Sequence, residues 1–441
     1  MSNSSDPRVI LDNAPMARMQ VIAVALCIVL NALDGFDVLS ISFAAPGIAA
    51  EWGINRAALG VVLSMELIGM GVGSVLLGNL ADKVGRRGVI LCCLGVMVAG
   101  MGSAPFATGV VSLSVIRLVT GLGIGGMLAS INAMAAEYSN GKNRALSVTL
   151  MAAGYSMGAI VGGSIASLLL QTGGWRDVFV LGALLTAALI PLVWFFLPES
   201  IGFLVEKRPA DALVRINRTL ARMSYAAIDA LPPPDPQRPA PSMRSLFSPV
   251  LLRTTLILTA AYFAHIMTFY FLTKWIPKIV VDLGYPASSA GQVLVWANVG
   301  GLTGGLIFGV LSRYLPLRPM VVAVLAASAV AVIWFGQGQA SLARLAIVAA
   351  IAGLFTSAGV FGLYGLLAQG FPTEVRAGGT GFVIGLGRGG AALGPIAAGA
   401  IFASGGSLAL VCTLMALGSL VGAITILGLR GKPVRADAVA A

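Results

Sequence analysis

Twelve apolar runs, each long enough to cross a bilayer as a helix, follow one another through the 441 residues. Six precede and six follow the only long polar stretch. The spans read as residues 20–45, 57–80, 88–107, 110–135, 145–170 and 178–197, then 252–276, 289–311, 319–336, 342–370, 378–403 and 408–429. Only 10% of the residues are charged and 58% are hydrophobic. A water-soluble domain normally carries about 25% charged residues. That deficit requires lipid as the solvent for much of the surface, and the 56 glycines suit helices that pack closely inside it.

The expected fold class is therefore an all-α membrane protein, with twelve transmembrane helices in two six-helix bundles. The expected layout is a polar N-terminal segment (1–19), a first bundle (20–197), a Pro-rich central loop (198–250), a second bundle (251–429) and a tail (430–441). One amphipathic helix is expected near 207–223 in the loop. With both termini placed inside, about 21 Lys and Arg fall on the cytoplasmic side, about four outside and about three within spans. The termini and the loop are thus expected in the cytoplasm, and the protein in the cell inner membrane as a monomer. The first apolar run lacks a small-residue cleavage site behind it and is expected to be retained as a helix. A net charge of +11 is spread over short inter-span breaks, not gathered on an aromatic-rich basic helix, so nucleic acid is not an expected partner. Cys27, Cys92, Cys93 and Cys412 lie in apolar runs and show no disulfide or metal-ligand spacing. No nucleotide loop, catalytic triad or cofactor motif points to an enzyme.

An internal repeat supports two halves. Residues 69–79 (GMGVGSVLLGN) parallel 301–311 (GLTGGLIFGVL). Arg144, Gly158, Gly162 and Gly163 match Arg376, Gly390, Gly394 and Pro395 at one constant offset.

Ionisable groups inside membrane spans are costly and mark functional sites. Asp34, Asp37, Glu66, Arg117, His265, Lys274 and Arg388 occupy such positions. Asp34 and Asp37 share one helix face, and two close carboxylates in a dry medium cannot both ionise cheaply. That is the property a proton carrier needs. Arg388, flanked by Gly387, Gly389 and Gly390, needs an anion at its depth. A substrate carboxylate held bidentately would serve, as would an acid from another helix. His265 is either a packed core residue or a ligand facing the pore. Lys274 either snorkels to the interface or attracts the anion. Tyr262, Phe269, Tyr270 and Trp275 either line a ring-binding cleft or serve as packing and interface anchors, and Asn132 can donate a hydrogen bond. Glu66 has no evident role.

Several stretches carry a resemblance. GNLADKVGRR (78–87) is similar to the loop signature of the major facilitator superfamily, and RLVTGLGIGG (117–126) to its fourth-helix Arg motif. LDGFD (33–37) and GLGRGGAALGP (385–395) resemble motifs of its aromatic acid:proton symporter family. The resemblance covers nearly the whole chain. It implies the major facilitator fold, no cofactor, and alternating access, with protons and a small aromatic carboxylate as cargo. It also implies that Arg117 neighbours Asp34 and Asp37, as a switchable or a static ion pair. Gly78, Asp82, Gly85, Arg86 and Arg87 would form a latch across the bundle interface, degenerate in the second half, where Arg313 replaces the acid. Glu137, Arg144, Glu374 and Arg376 would be gate contacts. Another organic anion, such as an aliphatic carboxylate or sugar acid, and proton-coupled efflux remain alternatives.

Overall fold

The computed structural model describes residues 6–233, 243–372 and 375–429. Among these residues the regular structure is helical, with no strand. The twelve long helices are α1 (Arg18–Trp52), α2 (Arg56–Val84), α3 (Arg86–Ser103), α4 (Val110–Glu137), α5 (Arg144–Thr172), α6 (Trp175–Phe196), α7 (Leu252–Asp282), α8 (Ala287–Leu311), α9 (Leu317–Gly336), α10 (Leu342–Gly370), α11 (Arg376–Ala403) and α12 (Leu408–Leu427). All twelve are long and apolar enough to span a membrane. The first six and the last six form the two expected bundles.

Two expected ends were wrong for one reason. The first and seventh spans were read as stopping before Pro46 and Pro277, yet α1 continues to Trp52 and α7 to Asp282. A proline removes one backbone donor from a helix. Ending the helix there would leave several more groups unsatisfied in lipid, so a buried helix tolerates it. Both prolines are buried. In the central loop the expected amphipathic helix is shorter, Ala212–Arg222, with Ile216 and Leu220 buried. A separate turn, Ile201–Lys207, precedes it, because Arg208 turns left-handed (φ 49°) ahead of Pro209.

Glycines bring particular helices into backbone contact. A Cβ on Gly121 of α4 would lie 2.1 Å from the Glu66 carbonyl oxygen of α2, and one on Gly125 would lie 2.1 Å from that of Met70. On α5, a Cβ on Gly158 would come within 1.7 Å of the Ala32 carbonyl oxygen of α1, so these two helices also touch through their backbones. Gly121→Val is therefore expected to destabilise by about 3 kcal/mol or more, since the opposing atom is backbone and cannot swing aside. Gly95→Ala meets nothing within 4 Å and is expected to be neutral or to gain up to about 1 kcal/mol. Thermal midpoints of the two purified variants check this; equal midpoints would refute the packing argument.

The bundles meet at the end remote from the termini. There Arg56 of α2 pairs with Asp282 of α7 at 3.0 Å. A Cβ on Gly60 would lie 2.6 Å from the Pro395 carbonyl oxygen, and one on Gly291 would lie 2.3 Å from Ser167 Oγ. This far end is sealed by glycine-lined contact between α2 and α11 and between α5 and α8.

Candidate coupling and substrate site

At mid-depth the buried Glu66 carboxylate stands between two cations. Its Oε1 accepts from Arg117 Nη2 of α4, and its Oε2 lies 3.4 Å from Lys274 Nζ of α7. All three side chains are fully buried. The α2–α4 glycine contact explains the first pair, since Gly121 draws the Glu66 turn against α4 just after Arg117. Arg117 also donates to the Asp37 main-chain carbonyl at 3.0 Å and to Met101 Sδ at 3.0 Å, with its guanidinium 5.4 Å from the Phe179 ring centroid. Lys274 Nζ also donates to the Val38 carbonyl across the bundle interface.

This corrects two expectations. Arg117 is indeed beside the acidic pair, but the carboxylate it bonds is Glu66, a residue to which the sequence suggested no role. Lys274 does not snorkel to the interface. Its ammonium points inward because Val38 O and Glu66 satisfy it there.

Asp34 and Asp37 are buried; the Asp34 carboxyl has no hydrogen-bond partner among the described residues, and the Asp37 carboxyl has the Thr186 hydroxyl beside it. Asp37 and Arg388 both act electrostatically on Asp34, and Arg117 and Glu66 on Asp37, so each carboxyl has a cation and a second carboxylate near it. Arg388 itself is half-buried on α11. Its Nη1 lies 3.9 Å from Met70 Sδ, and no carboxylate is within ion-pair distance among the described residues. Four tyrosines, Tyr270, Tyr262, Tyr364 and Tyr155, stand close enough to act on it, and it acts in turn on Asp34. Tyr262 and Tyr364 stack with centroids 5.9 Å apart, and their hydroxyls are 3.3 Å apart. Gly387 makes room for this collar, as a Cβ there would lie 2.2 Å from the Tyr262 ring. The structure thus places Tyr270 with Arg388, as expected, and adds three tyrosines, only one of which, Tyr262, stood out in the sequence. An unpaired guanidinium bordered by phenols is suited to a carboxylate carried on an aromatic ring.

His265 does not join that group. Its Nδ1 is 2.9 Å from Ser419 Oγ and its Nε2 2.9 Å from the Thr356 carbonyl, so both ring nitrogens are occupied in tying α7 to α10 and α12. Of the two readings open in the sequence, the packed core residue is the one observed. Asn132 is exposed on α4 and makes no side-chain hydrogen bond among the described residues.

The loop motif forms a second polar cluster at the end that carries the N-terminus. Gly85 has φ 106°, which favours glycine. Beyond it, the Arg86 and Arg87 main-chain amides donate to Glu199 Oε1 at 2.8 and 3.1 Å. The Arg86 guanidinium pairs with Glu137, whose other oxygen accepts from Ser200 Oγ at 2.5 Å. Arg144 pairs with Asp12 of the short helix Pro7–Asn13 at 2.6 Å. Arg86, Glu137 and Arg144 border a cavity of about 480 Å³. Asp82, expected to latch across the interface, is 71% exposed and, among the described residues, has only Arg86 of its own bundle at 4.0 Å. The latch is open here, in keeping with bundles that meet at the opposite end. A Cβ on Gly78 would lie 3.6 Å from Ala129 Cβ of α4, an ordinary contact inside the first bundle. Glu199, in the LPES stretch, was missed as a member of this cluster. Arg376 donates to the Phe371 carbonyl at 3.2 Å, and Glu374 lies outside the described residues.

Comparison with known proteins now bears on these groups. The family model described as Major Facilitator Superfamily matches residues 26–342. The sequence is 32% identical to a gallate transporter of Pseudomonas putida, over 95% of this chain and 93% of that protein. It is 30% identical to the 4-hydroxybenzoate transporter PcaK of Acinetobacter baylyi, covering 96% and 94% of the two chains. Among solved structures, the xylose transporter XylE of E. coli, in a partially occluded inward-open conformation, superposes with a TM-score of 0.73. That match covers 94% of this chain and 99% of the other at 15% identity, a likeness of fold.

Proposed function

Because the chain belongs to the Major Facilitator Superfamily and is a multi-pass membrane transporter, not an enzyme, we propose that it imports a small aromatic carboxylate by proton symport. The observation that carries this reading is Arg388: a half-buried guanidinium with no carboxylate partner among the described residues, collared by tyrosines. The relatives named for gallate and 4-hydroxybenzoate support the aromatic class.

In this reading the substrate carboxylate takes the bidentate place on Arg388, and its ring lies among the tyrosines. The proton resides on Asp34 or Asp37, two neighbouring buried carboxyls that are costly to hold as anions together. Arg117 and Arg388, one beside each aspartate, link protonation to the two ends of the site. With the excess of Lys and Arg placed inside, both termini are cytoplasmic and the open end faces the cytoplasm of a cell whose inner membrane holds the protein. The protein works as a monomer, and rocking of the bundles exposes the site to each side in turn.

The test is uptake of labelled 4-hydroxybenzoate into proteoliposomes under an inward proton gradient, with and without a protonophore. Gradient-dependent uptake is expected, and unlabelled gallate should compete. Competition by aliphatic or sugar acids alone would move the substrate class. Accumulation only with an outward-directed flux would make the protein an exporter.

A further inference from the structure

Among the described residues, Lys274 is the one fully buried cation whose bonds run from the second bundle to the first. Its two oxygen partners, Val38 O and Glu66 Oε2, belong to α1 and α2, whereas Lys274 sits on α7. Glu66 in turn holds Arg117 through its other oxygen. We propose that Glu66 is a positioning residue for the transport cycle: a two-sided carboxylate that clasps the bundles together in the far-end-sealed state and releases Lys274 when that end opens.

The argument rests on geometry and charge. Opening the far end requires α7 to leave α1 and α2, because Arg56–Asp282 and both Lys274 contacts lie between them. Both cations are fully buried and repel each other, so they coexist in a dry interface only because Glu66 lies between them. The clasp is asymmetric. Arg117 has further partners within its own bundle, in the Asp37 carbonyl and Met101 Sδ, and remains anchored when α7 departs. Lys274 loses both oxygen partners at once. Substituting Glu66 therefore removes an attraction and unmasks a repulsion, both of which favour separation at the far end. Substituting Lys274 removes the attraction alone.

Thiol accessibility tests this without substrate or proton gradient, so its outcome is independent of the proposed substrate and coupling. Ser167 is buried on α5 beneath Gly291 of the opposite bundle. In the full-length protein carrying Ser167→Cys, the exposed native thiol is removed by Cys92→Ser. Labelling by a membrane-impermeant maleimide is then followed site by site by mass spectrometry. The buried native thiols Cys27, Cys93 and Cys412 serve as internal reporters of unfolding. Glu66→Gln is expected to raise the labelling rate at position 167 by about tenfold, the population change that one lost charge-assisted bond supports. The three native thiols should stay protected. Lys274→Gln should raise labelling less. Adding it to Glu66→Gln should bring labelling down toward that of Lys274→Gln alone, because the unmasked repulsion is gone. Unchanged labelling at 167 in Glu66→Gln would overturn the proposal. So would a parallel rise at Cys93 and Cys412, which marks general loosening, or purely additive effects in the double variant.

Discussion

Replacing Arg388 with glutamine is expected to cut initial uptake of a labelled aromatic carboxylate by about 30-fold to several-thousand-fold, with the thermal midpoint unchanged or higher. Removing one partner of a desolvated, hydrogen-bonded charge pair costs about 2–5 kcal/mol of binding, and each 1.4 kcal/mol is about tenfold. The two readouts together decide what kind of arginine this is. A structural arginine paired with an acid would leave that acid buried and unmatched when substituted, and the fold would weaken. Arg388 has no carboxylate within ion-pair distance among the described residues and stands among neutral phenols. Its substitution therefore breaks no ion pair among the described residues and loses only a longer-range interaction with Asp34. Arg388→Lys separates charge from geometry. It keeps the cation but not the planar fork, so uptake is expected to fall by about tenfold, the value of one of two parallel bonds. A Gln variant that lost stability yet still transported would assign Arg388 to the scaffold.

The second large effect is expected at Asp34. Asn has nearly the shape of a protonated Asp and cannot release a proton. Asp34→Asn should therefore retain exchange of labelled for unlabelled substrate while losing accumulation against a gradient. For one proton per substrate, an inward pH difference of one unit supports accumulation of about tenfold. In the variant the ratio should fall to about one. Asp37→Asn tests the second carboxyl while keeping the bond from Arg117 to the Asp37 main-chain carbonyl, though it removes the charge interaction between the two side chains. If either variant alone abolishes accumulation, that residue carries the proton. Normal accumulation in both would place the coupling group elsewhere, with Glu66 the next to examine.

Neither Asp34 nor Arg388 was hard to find in the sequence, since a charge in the middle of an apolar run stands out. Glu66 was equally visible, yet its role was not. The difference lies in what hydropathy records. In lipid, the outer face of a helix is as apolar as its packed face, so the pattern reports depth along the span but hardly the direction in which a side chain points. Glu66 meets Arg117 across 51 residues and Lys274 across 208. Those meetings depend on which helix faces which. The His265 contacts to Thr356 and Ser419, 91 and 154 residues away, were hidden for the same reason.

The sequence by itself determined that this chain lives in a bilayer, that it has twelve helices, six on each side of one long polar stretch, and which few ionisable residues are drawn into the apolar interior. Spans and their depth are local properties: about 20 apolar residues must cross the membrane, whatever lies beside them. Only the tertiary structure decided the partners. Gly121 and Gly158 let backbones touch where any side chain would collide, and that contact turns Glu66 toward Arg117 and brings α1 against α5. It decided too that Asp82 is unlatched while the far end is closed, since a contact between bundles depends on their mutual tilt. Likewise Pro46 and Pro277 do not end their helices, because a helix buried among neighbours loses less by keeping one unmade bond than by unwinding into lipid.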